Sequence, residues 1–204
     1  MFAVGHLALG YLIGKASSKT LNIKVDTSLL FAFAVLPDID FLIPFLKHRG
    51  PTHSLITLGI AFIPSLLLFG RKTIPYAIVY LQHLVPGDYV TAGGIQLLWP
   101  LSTRWYSLER PLGESTVTTI EIAAFTASIL LMWKTKDLQN LLHPQPIRYS
   151  PLIPLITLGL PTLAKFPLPV PPELILPHLA YMTIFAIALI TNMKNHRTKE
   201  TIHT

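Results

Sequence analysis

Long apolar segments are the feature that most limits what this chain can fold into. About seven of them have the composition expected of helices in lipid, at residues 2–16, 27–46, 54–70, 74–90, 117–133, 151–166 and 174–192. Charged residues make up only 13% of the chain, against about a quarter in soluble domains, so water cannot be the solvent for its whole surface. A disordered chain is excluded because 51% of the residues are apolar.

The chemistry of lipid then determines the class of fold. In hydrocarbon every backbone polar group must be paired internally, and a helix achieves this within one segment. We therefore predict an all-α, polytopic integral membrane protein, a single domain over residues 1–204 with about 5–7 membrane segments. Several segments are shorter than the ~20 residues of a full transmembrane helix, and prolines interrupt others, so we expect some to be short or broken.

Seven ionisable residues fall near one side of the membrane if successive helices alternate in direction. This His/Asp cluster comprises His6, Asp38, Asp40, His48, His53, His83 and Asp88. A charged residue inside a membrane helix costs at least ~2.5–3.5 kcal/mol, so such a group needs partners or a function. His nitrogen and Asp oxygen are suitable ligands for Zn²⁺, Mn²⁺ or Fe²⁺. We predict a divalent metal site, with zinc as the expected ion, because the cation would offset repulsion between the carboxylates.

Two spacings within the cluster predict distorted backbone. Asp38 and Asp40 are two positions apart, so a regular helix would direct them to nearly opposite sides; a bent or extended backbone, favoured by Pro37, would bring them to one face. His83 and Asp88 are five positions apart, slightly off one face of a regular helix. The Pro-Gly pair between them supplies the distortion needed to align them.

A turn is predicted between His48 and His53, where the sequence reads Gly50-Pro51. The next residue, Thr52, is a candidate cap for the third helix, which would leave His53 in the first turn of that helix.

Four motifs carry a family resemblance: GHLALG, PDIDFLIP, HRGPTHSL and HLVPGDYVTAGGIQLLWPLS. They resemble motifs of the YdjM-like membrane-bound metal-dependent hydrolases, also described as LexA-binding, inner-membrane-associated hydrolases. The resemblance covers about residues 1–103, the metal-site half, and leaves the C-terminal helices at about 117–192 without a match. It implies that the His/Asp cluster occupies the polar positions of the family. One spacing departs, since four residues separate His83 from Asp88 where the family usually has three.

The resemblance implies an enzyme, and the residues suggest how it would work. We predict a membrane-embedded hydrolase in which one or two divalent ions activate water, with Asp38 or Glu121 as the general base. Arg49 and Arg104 are candidates for binding substrate, because guanidinium groups suit phosphate. A phosphoester or another lipid-like amphiphile is the expected substrate, and the ligand types are similar to those of zinc phospholipase C.

Two other functions remain open at this point. A metal- or proton-handling transporter would need polar residues that continue from the cluster towards the other side of the membrane. A membrane scaffold with a structural metal would lose stability, rather than activity, when a ligand is removed.

The basic residues give an orientation and argue against one class of partner. Eleven of the 16 Lys and Arg residues fall on the side opposite the cluster, which the positive-inside bias makes cytoplasmic. Five fall on the cluster side: Lys47, Arg49, Arg104, Arg110 and Lys165. We therefore expect a multi-pass protein of the cell membrane whose metal site faces the extracytoplasmic side. No nucleic acid is expected, because the basic residues form no stripe. The lipid bilayer is the expected partner, and the sequence does not indicate an oligomeric state.

Overall fold

A computed structural model describes residues 1–91, 93–109, 112–143, 147, 149–164 and 170–202, with backbone alone for 161–164 and 195–202. Its helices are α1 (Ala3–Leu21), α2 (Thr27–Val35), α3 (Leu55–Phe69), α4 (Ile74–Gln82), α5 (Glu114–Lys134), α6 (Asp137–Leu142), α7 (Leu152–Ala164) and α8 (Pro172–Ile202). Within these ranges the chain forms no strand, and its extended pairing is an isolated bridge between Ile95 and Tyr106. The all-α prediction is confirmed.

Two irregular helical segments extend α2 and α4. A 3₁₀ helix, Leu36–Leu42, continues α2, and a π-helix, His83–Tyr89, continues α4. Pro37 lies in the first turn of the 3₁₀ helix and Pro86 lies inside the π-helix. The helix predicted over 27–46 is therefore α-helical only to Val35, and Asp38 and Asp40 lie in a 3₁₀ helix rather than in a bent or extended segment.

Helix α1 runs through the centre of the fold and packs against α2, α4 and α5. Buried residues occur on several of its faces, and they include three glycines. A Cβ atom on Gly10 would lie 2.4 Å from the Cβ of Ala34 in α2, so only glycine permits this approach. Small residues at helix contacts are the usual means by which membrane helices pack closely, because lipid supplies little hydrophobic drive between them.

Contacts near the helix ends define two levels, one at each end of the helix bundle. At one level, both carboxylate oxygens of Glu121 in α5 accept hydrogen bonds from the amino end of α1, from Phe2 N at 2.8 Å and Gly5 N at 3.0 Å. At the other level, Lys15 of α1 pairs with Asp137 just beyond α5, at 2.8 Å. Helices α1 and α5 are therefore parallel.

Helices α2 and α4 also run together, in the direction opposite to α1. Their amino ends meet where Asp26 N donates to the hydroxyl of Tyr76 at 2.9 Å. Their carboxyl ends meet where His83 Nδ1 lies 2.7 Å from the carbonyl oxygen of Ala34. The ends that carry the His/Asp cluster consequently lie at the same level as the amino end of α1.

Three stretches of the described chain are long and apolar enough to cross a membrane: Leu55–Tyr89, Glu114–Lys134 and Pro172–Lys194. The first contains both α3 and α4, whose rings Phe62 and Tyr80 pack at 5.9 Å after the chain reverses at Gly70–Thr73. The predicted 5–7 membrane segments are thus matched only loosely. Some predicted features lie outside the described residues. They are positions 165 and 166 of the segment predicted at 151–166, and two of the basic residues counted on the cluster side, Arg110 and Lys165.

One predicted cap is wrong. Ser54, not Thr52, caps α3, because its hydroxyl accepts the N–H of Ile56 at 3.1 Å. His53 therefore lies in a separate 3₁₀ turn, Pro51–His53, rather than in the first turn of α3. This turn leaves the Thr52 hydroxyl free to contact the His/Asp cluster.

We expect Gly10→Ala to lower the free energy of unfolding by about 1–3 kcal/mol, because its new methyl group would overlap Ala34. Gly59→Ala is the matched control, since its Cβ would meet only Ile63, at 3.8 Å. Both variants gain the same helix propensity, so their difference isolates the overlap. Thermal unfolding in detergent measures it, and equal melting temperatures would contradict the central position of α1.

A pH-dependent prediction concerns Asp137. Burial opposes its charge, but hydrogen bonds from Lys15, Thr135 and Tyr11 hold the pKa of Asp137 below its usual value. A lowered folded-state pKa stabilises the fold above the unfolded pKa, about 3.9 for Asp, and this stabilisation is lost as pH falls through the folded value. Asp137→Asn should therefore melt below wild type at pH 7, and the difference should shrink below about pH 4. The matched control is Glu173→Gln, at an exposed position of α8. A difference between Asp137→Asn and wild type that does not change with pH would contradict this account.

Candidate metal centre

Four side chains converge where the 3₁₀ helix, the Pro51–His53 turn and the π-helix meet. They are Asp38, His53, His83 and Asp88, which we call the four-donor group, and all four are buried. The Nε2 atoms of the two histidines are 3.1 Å apart. Asp38 Oδ1 lies 3.5 Å from Nε2 of His53 and 3.4 Å from Nε2 of His83. Asp88 Oδ2 lies 3.4 and 4.0 Å from the same two atoms.

The hydrogen bonds of both histidines direct lone pairs into this group. His83 Nδ1 must donate its proton, because its partner at 2.7 Å is the carbonyl oxygen of Ala34. The hydroxyl of Thr52 donates to Asp40 at 2.8 Å, so it accepts from Nδ1 of His53 at 3.0 Å. In the neutral histidines the Nε2 atoms are then unprotonated and face each other. Metal-binding histidines are characteristically oriented in this way, by donation from the other ring nitrogen.

The distances within the four-donor group fit a tetrahedral ion. Zinc binds His nitrogen and Asp oxygen at about 2.0–2.2 Å, which places neighbouring ligand atoms about 3.3–3.6 Å apart. Four of the five distances above lie between 3.1 and 3.5 Å, and the fifth is 4.0 Å. The residues present therefore fit a divalent metal ion without a large rearrangement.

Asp88 is held in place by groups outside the four donors. Its Oδ2 accepts a hydrogen bond from Nε of Arg49 at 2.8 Å, and its Oδ1 lies 3.3 Å from Nε2 of His6. The ring of His6 stacks on that of His83, with centroids 3.7 Å apart. Gly87 permits this stack, because a Cβ atom there would lie 2.5 Å from Cε1 of His6. His6, predicted as a ligand, thus supports two of the donors.

Asp40 supports His53 in a similar way. Its Oδ2 accepts from the backbone N–H of Arg49 at 3.1 Å and lies 3.4 Å from Nδ1 of His53. Its Oδ1 lies 3.0 Å from Nδ1 of His48. Asp40, His48 and His53 also form a second group with metal-ligand spacing, but there the oxygens of Asp40 already accept several hydrogen bonds.

The electrostatics of this region favour a cation. Burial opposes the charge on Asp40, yet hydrogen bonds from His48 and His53 hold the pKa of its carboxyl well below the usual range. Burial also opposes a charge on His53, but Asp38, Asp40 and Asp88 together raise its pKa to about 10. Positive charge at this point is therefore strongly stabilised, and a divalent ion provides more of it than a proton does.

The local backbone explains how these donors come together. A π-helix closes hydrogen bonds between residues five apart, so it aligns His83 with Asp88 as no regular α-helix would. Arg49 has a positive φ of 63°, an uncommon conformation for a residue other than glycine. This conformation lets its backbone N–H reach Asp40 while its side chain reaches Asp88.

The other two predicted site residues lie apart from the four donors. Glu121 is buried, and both its oxygens are bonded to backbone N–H groups at the amino end of α1. Arg104 is exposed, with its guanidinium 5.7 Å from the centre of the Tyr106 ring. The catalytic role of Glu121 and the substrate role of Arg104 stay predictions, and neither residue lines the cavity beside the four donors.

A cavity of about 150 Å³, the polar cavity, opens beside the four-donor group. Asp38, Asp88, His6, His48 and Arg49 form its polar wall. Other residues in its lining include Phe41, which lies in the second motif, and two residues that no motif indicated, Thr157 and Val170. The last two come from α7 and the chain before α8, whose sequence carries no chemical motif, so only the tertiary structure identifies them.

We expect purified protein to bind about one zinc ion per chain, and His83→Ala to abolish this binding, because His83 belongs to the four-donor group alone. His48→Ala should retain the metal, since His48 belongs only to the second group. Elemental analysis after dialysis against zinc measures both, with His143→Ala as a control outside the cluster. Loss of metal in His48→Ala and retention in His83→Ala would place the ion in the second group instead.

Comparison with known proteins agrees with the membrane character of the fold. Residues 1–159 match the sequence profile of a family described as YdjM inner membrane protein, which extends the resemblance beyond the metal-site half to α7. Neither a search of curated proteins nor one of solved structures gave a significant match. The profile covers most of the chain, so the protein belongs to the YdjM inner membrane protein family.

Proposed function

We propose that this protein is a metal-dependent hydrolase of phosphoesters. The observation that carries the proposal is the pair of Nε2 atoms, 3.1 Å apart, that face two buried carboxylates beside an open cavity. A catalytic metal site has to be open to its substrate, and a cavity beside the donors provides that opening. Here Asp38 and Asp88 line the cavity as well as the metal group, so a substrate in the cavity would contact the donors.

The ion, most suitably zinc, would supply Lewis acidity, both to a water molecule and to the phosphoryl oxygen of the ester. Asp38, His53, His83 and Asp88 would hold it. In the hydrolysis, the oxygen of water bonds to phosphorus, the ester P–O bond breaks, and the alcohol leaves with a proton.

Arg49 is the residue best placed to bind the phosphate. Its guanidinium lies in the cavity wall and uses Nε to hold Asp88, at 2.8 Å. The terminal nitrogens of a guanidinium remain available for two parallel hydrogen bonds to phosphate oxygens when Nε is engaged elsewhere.

His48 is a suitable proton carrier. Its side chain lines the polar cavity, and its Nδ1 lies 3.0 Å from Asp40, which orients the ring. This His–Asp pair resembles in arrangement the pairs used for general acid–base catalysis. We assign the proton transfer to His48, in preference to Glu121, whose oxygens are occupied by α1.

The packing beneath the cluster favours a hydrolase over a transporter. Between α1, α2 and α4, the packing below His83 combines the fully buried apolar residues Leu30, Ala34 and Val79 with one buried amide, that of Gln82, whose oxygen would lie 3.3 Å from a Cβ atom on Gly10. A single neutral amide among apolar side chains does not provide the series of ionisable groups that a proton or metal pathway needs. The membrane orientation, with the cavity on the extracytoplasmic side, rests on the distribution of basic residues alone.

Zinc-loaded protein should hydrolyse p-nitrophenyl phosphate or bis(p-nitrophenyl) phosphate, measured as release of nitrophenol. His48→Gln should lower kcat by about 10²–10⁴-fold, the usual contribution of general acid–base catalysis. Arg49→Lys should mainly raise KM, because an ammonium cannot bind phosphate in the two-point manner of a guanidinium.

The control for these variants is His143→Ala, which should retain wild-type activity. Equal activity in zinc-loaded and chelator-treated protein would contradict the proposal. If wild type shows no hydrolysis, and His53→Ala lowers the melting temperature, the scaffold with a structural metal becomes the better account.

A further inference from the structure

A second, apolar cavity adjoins the polar one. It lies between the 3₁₀ helix Leu36–Leu42 and α7, and we call it the apolar groove. Its lining residues are Asp38, Ile39, Phe41, Leu42, Ile153, Ile156, Thr157 and Leu160. Three of these, Asp38, Phe41 and Thr157, also line the polar cavity, so the two spaces meet beside a predicted metal ligand.

The geometry of the 3₁₀ helix explains this junction. With three residues per turn, Asp38 and Phe41 share one face, while Ile39 and Leu42 share the next face. The carboxylate of Asp38 therefore reaches the four-donor group while its neighbours along the helix present hydrocarbon to α7.

The opposite wall of the groove is one face of α7. Its residues are three, four and seven positions from the first one, which is the spacing of a single helical face: Ile153, Ile156, Thr157 and Leu160. Thr157 already donates its hydroxyl to the carbonyl of Ile153 at 3.0 Å, so its polar group is paired within the helix. Beyond Asp38 the wall is therefore hydrocarbon, and a polar ligand would gain nothing from it.

The outer side of the groove faces the bilayer. Phe41 and Leu42 are 56% and 45% exposed, and the chain after them continues with exposed Ile43 and Phe45. In a protein of an inner-membrane family we expect such side chains to contact lipid. The groove itself has a volume of only about 30 Å³, too small to enclose a whole hydrocarbon chain. A hydrocarbon chain in the groove would thus lie partly against protein and partly against lipid.

We propose that the substrate is a membrane lipid phosphoester, whose hydrocarbon chain lies in the apolar groove while its phosphate lies in the polar cavity beside Arg49. The inference rests on the proposed function and specifies its substrate class. The lining of the two cavities matches such a lipid in charge and polarity. A guanidinium and the metal donors lie at the phosphate end, and aliphatic side chains lie at the hydrocarbon end. The substrate would enter sideways from the bilayer, between the 3₁₀ helix and α7.

Binding of non-hydrolysable phosphonates tests this inference independently of catalysis. Methyl-, propyl- and hexylphosphonate would be titrated calorimetrically into zinc-loaded protein in detergent, below their own micelle concentrations. Burial of two methylene groups, at about 0.8 kcal/mol each, corresponds to about 15-fold in affinity. We expect propylphosphonate to bind about 15-fold more tightly than methylphosphonate, and hexylphosphonate more tightly again.

Two substitutions at one groove position, Ile156, are expected to have opposite effects on the preference for longer chains. Ile156→Trp fills the groove and should abolish the preference for longer chains, with methylphosphonate binding and zinc content unchanged. Ile156→Ala widens the groove and should retain the preference. The matched control is Leu152→Trp, at an exposed position of the same helix outside the groove lining, which should behave as wild type.

Each result has a definite meaning. No dependence on chain length in wild type, or the same dependence in Ile156→Trp, overturns the inference, as does absence of phosphonate binding. A plateau from propyl to hexyl shows a closed end and overturns the membrane-lipid origin of the substrate. If the length dependence is found but no phosphoester is hydrolysed, the proposed function fails while the binding site for a phosphate with a hydrocarbon chain remains.

Discussion

Three carboxylates, Asp38, Asp40 and Asp88, lie buried at one end of a bundle of apolar helices, and their charges have to be compensated there. Arg49 compensates part of this charge through its ion pair with Asp88. The remainder is directed at a single point, where two carboxylate oxygens and two imidazole nitrogens converge. A divalent ion at this point satisfies all four donors at once, which no arrangement of single protons achieves.

The rest of the structure serves to hold these donors. Glycine at position 10 lets α1 approach α2, and Glu121 fixes the amino end of α1 from the side of α5. The π-helix departs from regular geometry where His83 and Asp88 must share a face, and the 3₁₀ helix carries Asp38 to the same site. Irregular helices are costly, and they occur preferentially at functional sites. Their coincidence with the four-donor group therefore supports a functional rather than a casual cluster.

The sequence was sufficient to predict the class of fold and the residues that gather at one end of it. Apolar segments and alternation placed His6, His53 and His83 at one level, and the spacing from His83 to Asp88 indicated the distortion now seen as a π-helix. The same reasoning could not separate the four donors from their supports. Whether His6 or Asp40 would contact a metal depends on side-chain contacts within about 3 Å, which spacing along a chain does not determine.

Other features required the tertiary structure. The role of Thr52 was missed because a threonine after a turn ordinarily caps the next helix, whereas here Ser54 does so and Thr52 links Asp40 to His53. The contribution of α7 to both cavities carries no motif, since aliphatic residues on one helical face have the same pattern whether they meet lipid, protein or substrate. The predicted count of 5–7 membrane segments is matched only loosely, because three stretches of the described chain meet the length and hydropathy of a membrane span.

The most direct test of the central claim is X-ray absorption spectroscopy at the zinc edge of the purified, zinc-loaded protein. The account predicts one site with nitrogen and oxygen ligands at about 2.0–2.1 Å, and scattering from two imidazole rings that falls to one ring in His83→Ala. A spectrum without imidazole scattering, or one unchanged in His83→Ala, would contradict the assignment of the metal to Asp38, His53, His83 and Asp88.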